Sequence, residues 1–128
     1  MKPGRDSTQE AFPGMRAFPV RLLPIRSAEQ LEKDFENRVG LVNFCVPWSA
    51  PCLEQQRILG RLAKAFAGRA RIGMMNVEEN ESVARDYGIR SVPTLVIFRN
   101  RKEIQRFTGL QPGSVLTRVL EGLLVDSR

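Results

Sequence analysis

Trp48-Ser49-Ala50-Pro51-Cys52 is the stretch whose residue types and spacing bear most directly on chemistry. It stands where an amphipathic helix should begin, since Leu59, Leu62, Ala63 and Phe66 recur at i, i+3, i+4 and i+7. A thiol in a first helical turn faces unpaired backbone N–H groups and the positive end of the macrodipole, which favour the reactive thiolate. A second thiol three residues on shares that helix face and can resolve a mixed disulfide. Here Cys52 holds the second of those places and Ser49 the first. A hydroxyl without an adjacent base or metal is too weakly acidic to replace a thiolate, whereas serine is a favoured N-cap. The expectation is a residual thiol at Cys52 and no attacking nucleophile at Ser49.

Other chemistry is excluded by composition. The chain of 128 residues has no histidine, which removes Ser-His-Asp triads, Cys-His proteases and His-ligated zinc. Its two cysteines, Cys45 and Cys52, cannot complete a four-sulfur metal site, and neither a metal nor a cofactor is expected. A Cys45–Cys52 disulfide is the less favoured reading, because it needs Cα atoms within ~7 Å, which sequence cannot establish. Cys45 reads instead as core, and Cys52 as a shielded small residue that is either inert or slowly reactive. Sparse cysteine usage fits a reducing, cytoplasmic compartment, with a removed leader left open.

The elements that must position this stretch follow in order. Val20 to Leu23 reads as a strand ended by Pro24, and Ser27 with Gln30 forms a capping-box pattern for a helix through Leu31 and Phe35. Leu41 to Cys45 is an apolar run typical of a strand covered on both faces, and the helix after it stops at Gly68. Ile72 to Val77 is a third strand, and Asn80 caps a short helix ended by Gly88. Thr94 to Phe98 and Glu103 to Phe107 form an antiparallel pair joined at Asn100-Arg101. Pro112 opens a last amphipathic helix through Leu116, Val119, Leu120, Leu123 and Leu124. The order β-α-β-α-β-α-β-β-α implies an α/β fold, a central mixed sheet with helices on both faces.

From Val20 to Leu124 the chain resembles the thioredoxin family. The likeness rests on Phe44, Trp48-x-x-Pro51-Cys52, Asn76, Tyr87-Gly88-Ile89-Arg90 before Val92-Pro93-Thr94, Phe98-Arg99-Asn100 and Thr108-Gly109, all in the family's order. The resemblance implies a thioredoxin-like fold and descent from protein-disulfide oxidoreductases. It also implies a cis bond before Pro93, Pro93 beside Ser49, and a partner-binding surface of Trp48, Ala50, Pro51, Val92, Pro93, Gly109 and Leu110. The departures fall at the site. Ser49 stands for the attacking cysteine, Asn43 for a buried aspartate, Met74 for its lysine neighbour, Cys45 for a tryptophan, Arg57 for a helix proline and Arg101 for a turn glycine. Asn43, Cys45 and Met74 are therefore expected to be buried support for the site, Asn43 and Met74 as a neutral replacement of a charged pair.

Residues 1–18 combine Pro3, Gly4, Pro13 and Gly14 with basic and polar residues, and read as a flexible basic extension before a single domain at 19–128. Net charge is +6, half of it within the first 26 residues. Arg57, Arg61 and Lys64, and Arg99, Arg101, Lys102 and Arg106, read as a solvated helix face and a charged sheet edge, so nucleic-acid binding is a minor alternative. No apolar run approaches the ~18–20 residues of a membrane span. The expected form is a monomer that docks a protein or extended peptide at the Trp48/Pro93 groove. It either derives from an oxidoreductase that has lost its first thiol or is a non-redox binding module.

Overall fold

The computed structural model describes residues 22–126. Nine elements follow one another: β1 (Leu23–Pro24), α1 (Ala28–Asp34), β2 (Val39–Cys45), α2 (Ala50–Ala65), β3 (Ala70–Asn76), α3 (Glu81–Asp86), β4 (Thr94–Arg99), β5 (Lys102–Thr108) and α4 (Gly113–Asp126). The strands lie in the order β1-β3-β2-β4-β5, with β1, β3 and β2 parallel and β4 and β5 antiparallel to their neighbours. This is the thioredoxin-like α/β fold, a mixed sheet with helices on both faces.

Strand β2 occupies the middle of the sheet and is buried at every residue. Because side chains alternate between faces, Val39 and Leu41 join Leu59, Leu62 and Phe66 of α2 and Leu116 and Leu120 of α4. Val42 and Phe44 join Leu31 and Phe35 on the α1 side, with Tyr87 and Val83 of the α3 region against them. Each fully buried aliphatic or aromatic side chain in these layers contributes about 1.5–3 kcal/mol. Gly40 lies on the α1 face, where a Cβ would fall inside the Phe35 ring. That ring stacks on Phe98 with centroids 5.6 Å apart, so glycine here makes room for the aromatic pair.

The ends of elements differ from the sequence reading in several places. The first strand is only Leu23–Pro24, paired with Gly73 and Met74, so Pro24 lies within it; Val20 and the 1–18 extension fall outside the described residues. Proline, lacking an N–H, is tolerated because β1 is an edge, and Ile25 N–H resumes the pairing with Met74 O at 2.8 Å. At α1, Ser27 Oγ accepts from Gln30 N–H at 3.0 Å while Gln30 Oε1 accepts from Arg26 N–H at 2.9 Å. Asn80 holds the N-cap position of α3 but does not cap with its side chain; its Nδ2 donates to Asn76 O at 2.9 Å. Pro112 precedes α4 rather than lying in its first turn.

The β4–β5 turn keeps a left-handed backbone at Asn100 (φ 53°) and Arg101 (φ 72°), although Arg101 is not glycine and pays about 1 kcal/mol for it. Two hydrogen bonds hold the turn against the α1–β2 connection. Asn100 Oδ1 accepts from Asn37 N–H, and Asn100 N–H donates to Arg38 O, both at 3.0 Å.

Two outcomes test this packing. Gly40→Ala should destabilise the fold by about 1–3 kcal/mol in urea unfolding, since Phe35 cannot move without losing Phe98. Tyr87, the single tyrosine, has its phenol pushed above 10.0 by burial and then by the charges of Glu32 and Glu103. Folding therefore favours its neutral form, and that contribution is full below pH 10.0 and is lost as pH rises past it. Ultraviolet titration should place the native tyrosinate midpoint above 10.0 and return it towards that value in denaturant.

Candidate functional site

The site forms where β2 hands the chain to α2. Ser49, with extended backbone, is the N-cap; its Oγ accepts from Cys52 N–H at 3.3 Å and its carbonyl from Leu53 N–H at 3.0 Å. Only 9% of its surface is exposed. Pro51 in the first turn has no N–H to leave unpaired, which suits a helix start. The tip of the helix thus presents an occupied cap and no thiol.

Period-two alternation puts Cys45 on the same face of β2 as Leu41 and Asn43, the face that α2 covers. Cys52 points down from the first turn of α2 to meet it. The two are joined in a disulfide, with Cα atoms 5.7 Å apart, and neither cysteine is free. This corrects two expectations: Cys52 is not a residual thiol, and Cys45 is not merely core filling. The seven-residue separation spans one strand end, a tight connection and one helical turn, which brings the Cα atoms within the range a disulfide needs.

Around the sulfurs the groups are neutral and buried. Cys52 Sγ accepts from Val46 N–H at 3.4 Å, and Cys45 Sγ lies 3.3 Å from Asn43 Oδ1. Asn43 and Met74 are opposite one another in the β2–β3 pairing and both are buried. Asn43 Nδ2 and both amide atoms of Gln56 are buried without a protein partner. Among the described residues, no group of three or more Cys, Asp or Glu is placed to hold a metal ion.

Above the disulfide the surface is open. Trp48 is 71% exposed and its Nε1 donates to Glu78 Oε2 at 2.7 Å, a partner the sequence did not point to. Ala50 and Pro51 are exposed, Val92 is half-buried, and Pro93, after a cis bond, is buried. Leu110 is 46% exposed. A run of hydrogen bonds ties three segments together: Pro93 O accepts from Gly109 N–H at 2.8 Å, and Gly109 O from Gln111 Nε2 at 3.2 Å. Gln55 of α2 completes it, its Oε1 accepting from Gln111 N–H at 2.8 Å and its Nε2 donating to Gln111 O at 3.1 Å. Gln55 and Gln56 were missed, yet extending the Leu59 periodicity back by four and three residues lands on them and marks them as buried.

Comparison with known proteins agrees with this architecture. The thioredoxin family profile matches residues 25–122. Thioredoxin M4, chloroplastic, of Arabidopsis thaliana is 38% identical over 111 residues, covering 86% of this chain and 58% of that protein, so the chain spans a little over half its length. Thioredoxin 2 of Chlorobaculum tepidum is 35% identical over 94 residues, 73% of this chain and 84% of the relative. A mutant thioredoxin from Halobacterium salinarum superposes with a TM-score of 0.73 at 28% identity, covering 88% of this chain and 93% of the other.

Gln55→Leu should remove both bonds to Gln111 and leave its part-buried N–H and C=O short of partners, costing about 1–3 kcal/mol. Hydrogen exchange at Gln111 should quicken in the same variant, whereas exchange in the centre of β2 should fall only in step with global stability.

Proposed function

The chain belongs to the thioredoxin family, and from that premise we propose that it docks an extended protein segment without passing electrons through position 49. The docking surface is Trp48, Ala50, Pro51, Val92, Pro93, Gly109 and Leu110. One observation carries the reading: the hydroxyl at the helix tip is engaged as a cap, while both cysteine sulfurs are fully buried and bonded to each other. A protein disulfide arriving at that tip meets no nucleophile. By family resemblance Ser49 stands where the attacking cysteine would be, and its hydroxyl has no base to activate it.

Recognition itself needs no thiol. An exposed tryptophan, Trp48, and an exposed leucine, Leu110, which follows the residue bonded to Pro93 O, supply apolar anchors of the kind that dominate small docking patches. The backbone of Val92 would pair with an extended segment and fix its direction. We take the acting form to be a monomer. No helix among the described residues is long and apolar enough to cross a membrane, and the cytoplasmic setting inferred from sparse cysteine usage remains part of this proposal.

The Cys45–Cys52 pair favours a second reading, in which those two sulfurs, and not a pair within the helix turn, exchange with protein disulfides. Insulin reduction driven by dithiothreitol separates the two. On the docking reading the unmodified chain adds nothing to the background rate, and Ser49→Cys confers turnover. Turnover by the unmodified chain that Cys45→Ser abolishes would replace the docking reading with the second. Trp48 is the sole tryptophan, so its emission should shift as an extended peptide is titrated in, and Leu110→Asp should weaken that response about tenfold or more.

A further inference from the structure

Beneath the docking surface the two sulfurs have unlike surroundings. Cys52 Sγ receives the Val46 N–H at 3.4 Å and sits in the first turn of a 16-residue helix, at the positive end of its macrodipole, which favours negative charge there. Cys45 Sγ lies 3.3 Å from the side-chain oxygen Oδ1 of Asn43, an acceptor that suits a protonated thiol and disfavours a thiolate. Two further buried side chains flank the pair in sequence and on the same faces. Asn43, two residues before Cys45 on β2, and Gln56, four after Cys52 on α2, both have amide nitrogens without a protein partner. Unsatisfied amides in a core are costly, and beside a sulfur pair they offer hydrogen bonds to a small polar molecule or to a charged sulfur.

We propose that Cys45 and Cys52 are a redox couple for small hydroperoxides, in which Cys52 is oxidised first and Cys45 resolves it. This concerns the sulfurs under the docking surface and holds whether or not a polypeptide occupies that surface. In the reduced chain the Cys52 thiolate attacks the peroxide oxygen. An S–O bond forms, the O–O bond breaks, and the departing hydroxide takes a proton from solvent, leaving a sulfenic acid on Cys52. Cys45 then attacks the Cys52 sulfur; the S–S bond forms, the S–O bond breaks, and hydroxide leaves with the Cys45 proton as water. Two thiols and one hydrogen peroxide give the disulfide seen in the structure and two waters. A small dithiol closes the cycle by reducing that bond and becoming a disulfide itself. Full burial of both sulfurs favours small reactants over folded partners, a hydroperoxide as the oxidant and a small dithiol as the reductant.

The test uses the full chain, reduced with dithiothreitol, freed of it, and titrated with hydrogen peroxide. After acid quenching and alkylation in denaturant, the intact mass should show loss of two hydrogens and no alkylation at one equivalent of peroxide. With the oxidation quenched at early times into denaturant containing dimedone, which opens the buried site to the reagent, the adduct should map to Cys52 in the unmodified chain and accumulate to completion in Cys45→Ser. In Cys52→Ala, Cys45 should react with peroxide at least about tenfold more slowly than Cys52 does in Cys45→Ser. Dimedone on Cys45 in the unmodified chain, or a dithiol that survives excess peroxide, would overturn the proposal. The unmodified-chain mapping decides the order of oxidation even where a variant loses its fold.

Discussion

Everything at the site depends on the alternation of one strand. β2 is covered on both faces, so its side chains are committed alternately to the α1 layer and to the α2 layer. Phe44 goes to the first, its ring tilted against Tyr87, which meets Phe98 edge-on, while Cys45 goes to the second and meets Cys52. A shift of one residue in the register of β2 would exchange these sets, placing both sulfurs on opposite sides of the sheet. The aromatic packing on the α1 side thereby holds the sulfur chemistry on the other in place.

A second consequence is that the interior beside the sulfurs carries no charge. Asn43 and Met74, both uncharged, lie opposite each other in the β2–β3 pairing and are buried. Neutral groups at these two buried positions avoid the desolvation that a charged pair there would cost. Polarity has been kept in another form, through Asn43, Gln55 and Gln56. Gln55 spends its amide on the Gln111 peptide unit, joining the helix to the loops that carry Pro93 and Gly109. Asn43 Nδ2 and Gln56 are left facing inward without partners. Adjacent residues of one helix thus differ in role: Gln55 is bonded to Gln111, while Gln56 is buried without a protein partner.

The basic residues that give the chain its charge are partly spent on local pairs. Arg106 binds Glu103 and also donates to Tyr87 O at 2.7 Å, and Arg71 pairs with Asp34 at 3.1 Å. Arg69 lies over the Phe66 ring and reaches Glu121. The Arg69–Glu121 pair, half exposed, adds little stability, whereas Arg71–Asp34 and Arg106–Glu103 are part-buried, the latter on the edge strand β5.

How much was legible beforehand follows from which constraints are local. Apolar runs, capping residues and turn residues act over a few positions, so the element order, the mixed sheet and the buried character of β2 could be read directly, as could Ser27 as a cap. Boundaries that rest on a neighbour were not readable. Pro24 joins a strand only because β3 offers an edge, and Asn80 turns from its own helix to Asn76 because that carbonyl is within reach. Gln55 and Gln56 lay within the helical periodicity, but their polarity concealed a burial that the covering loop satisfies for one of them. The pairing of Cys45 with Cys52 was the largest step beyond the sequence. The residue types and the absence of a thiol at position 49 are sequence facts, whereas joining two sulfurs requires strand alternation, helix direction and a tight connection to agree within a few ångströms, and that agreement exists only in the folded chain.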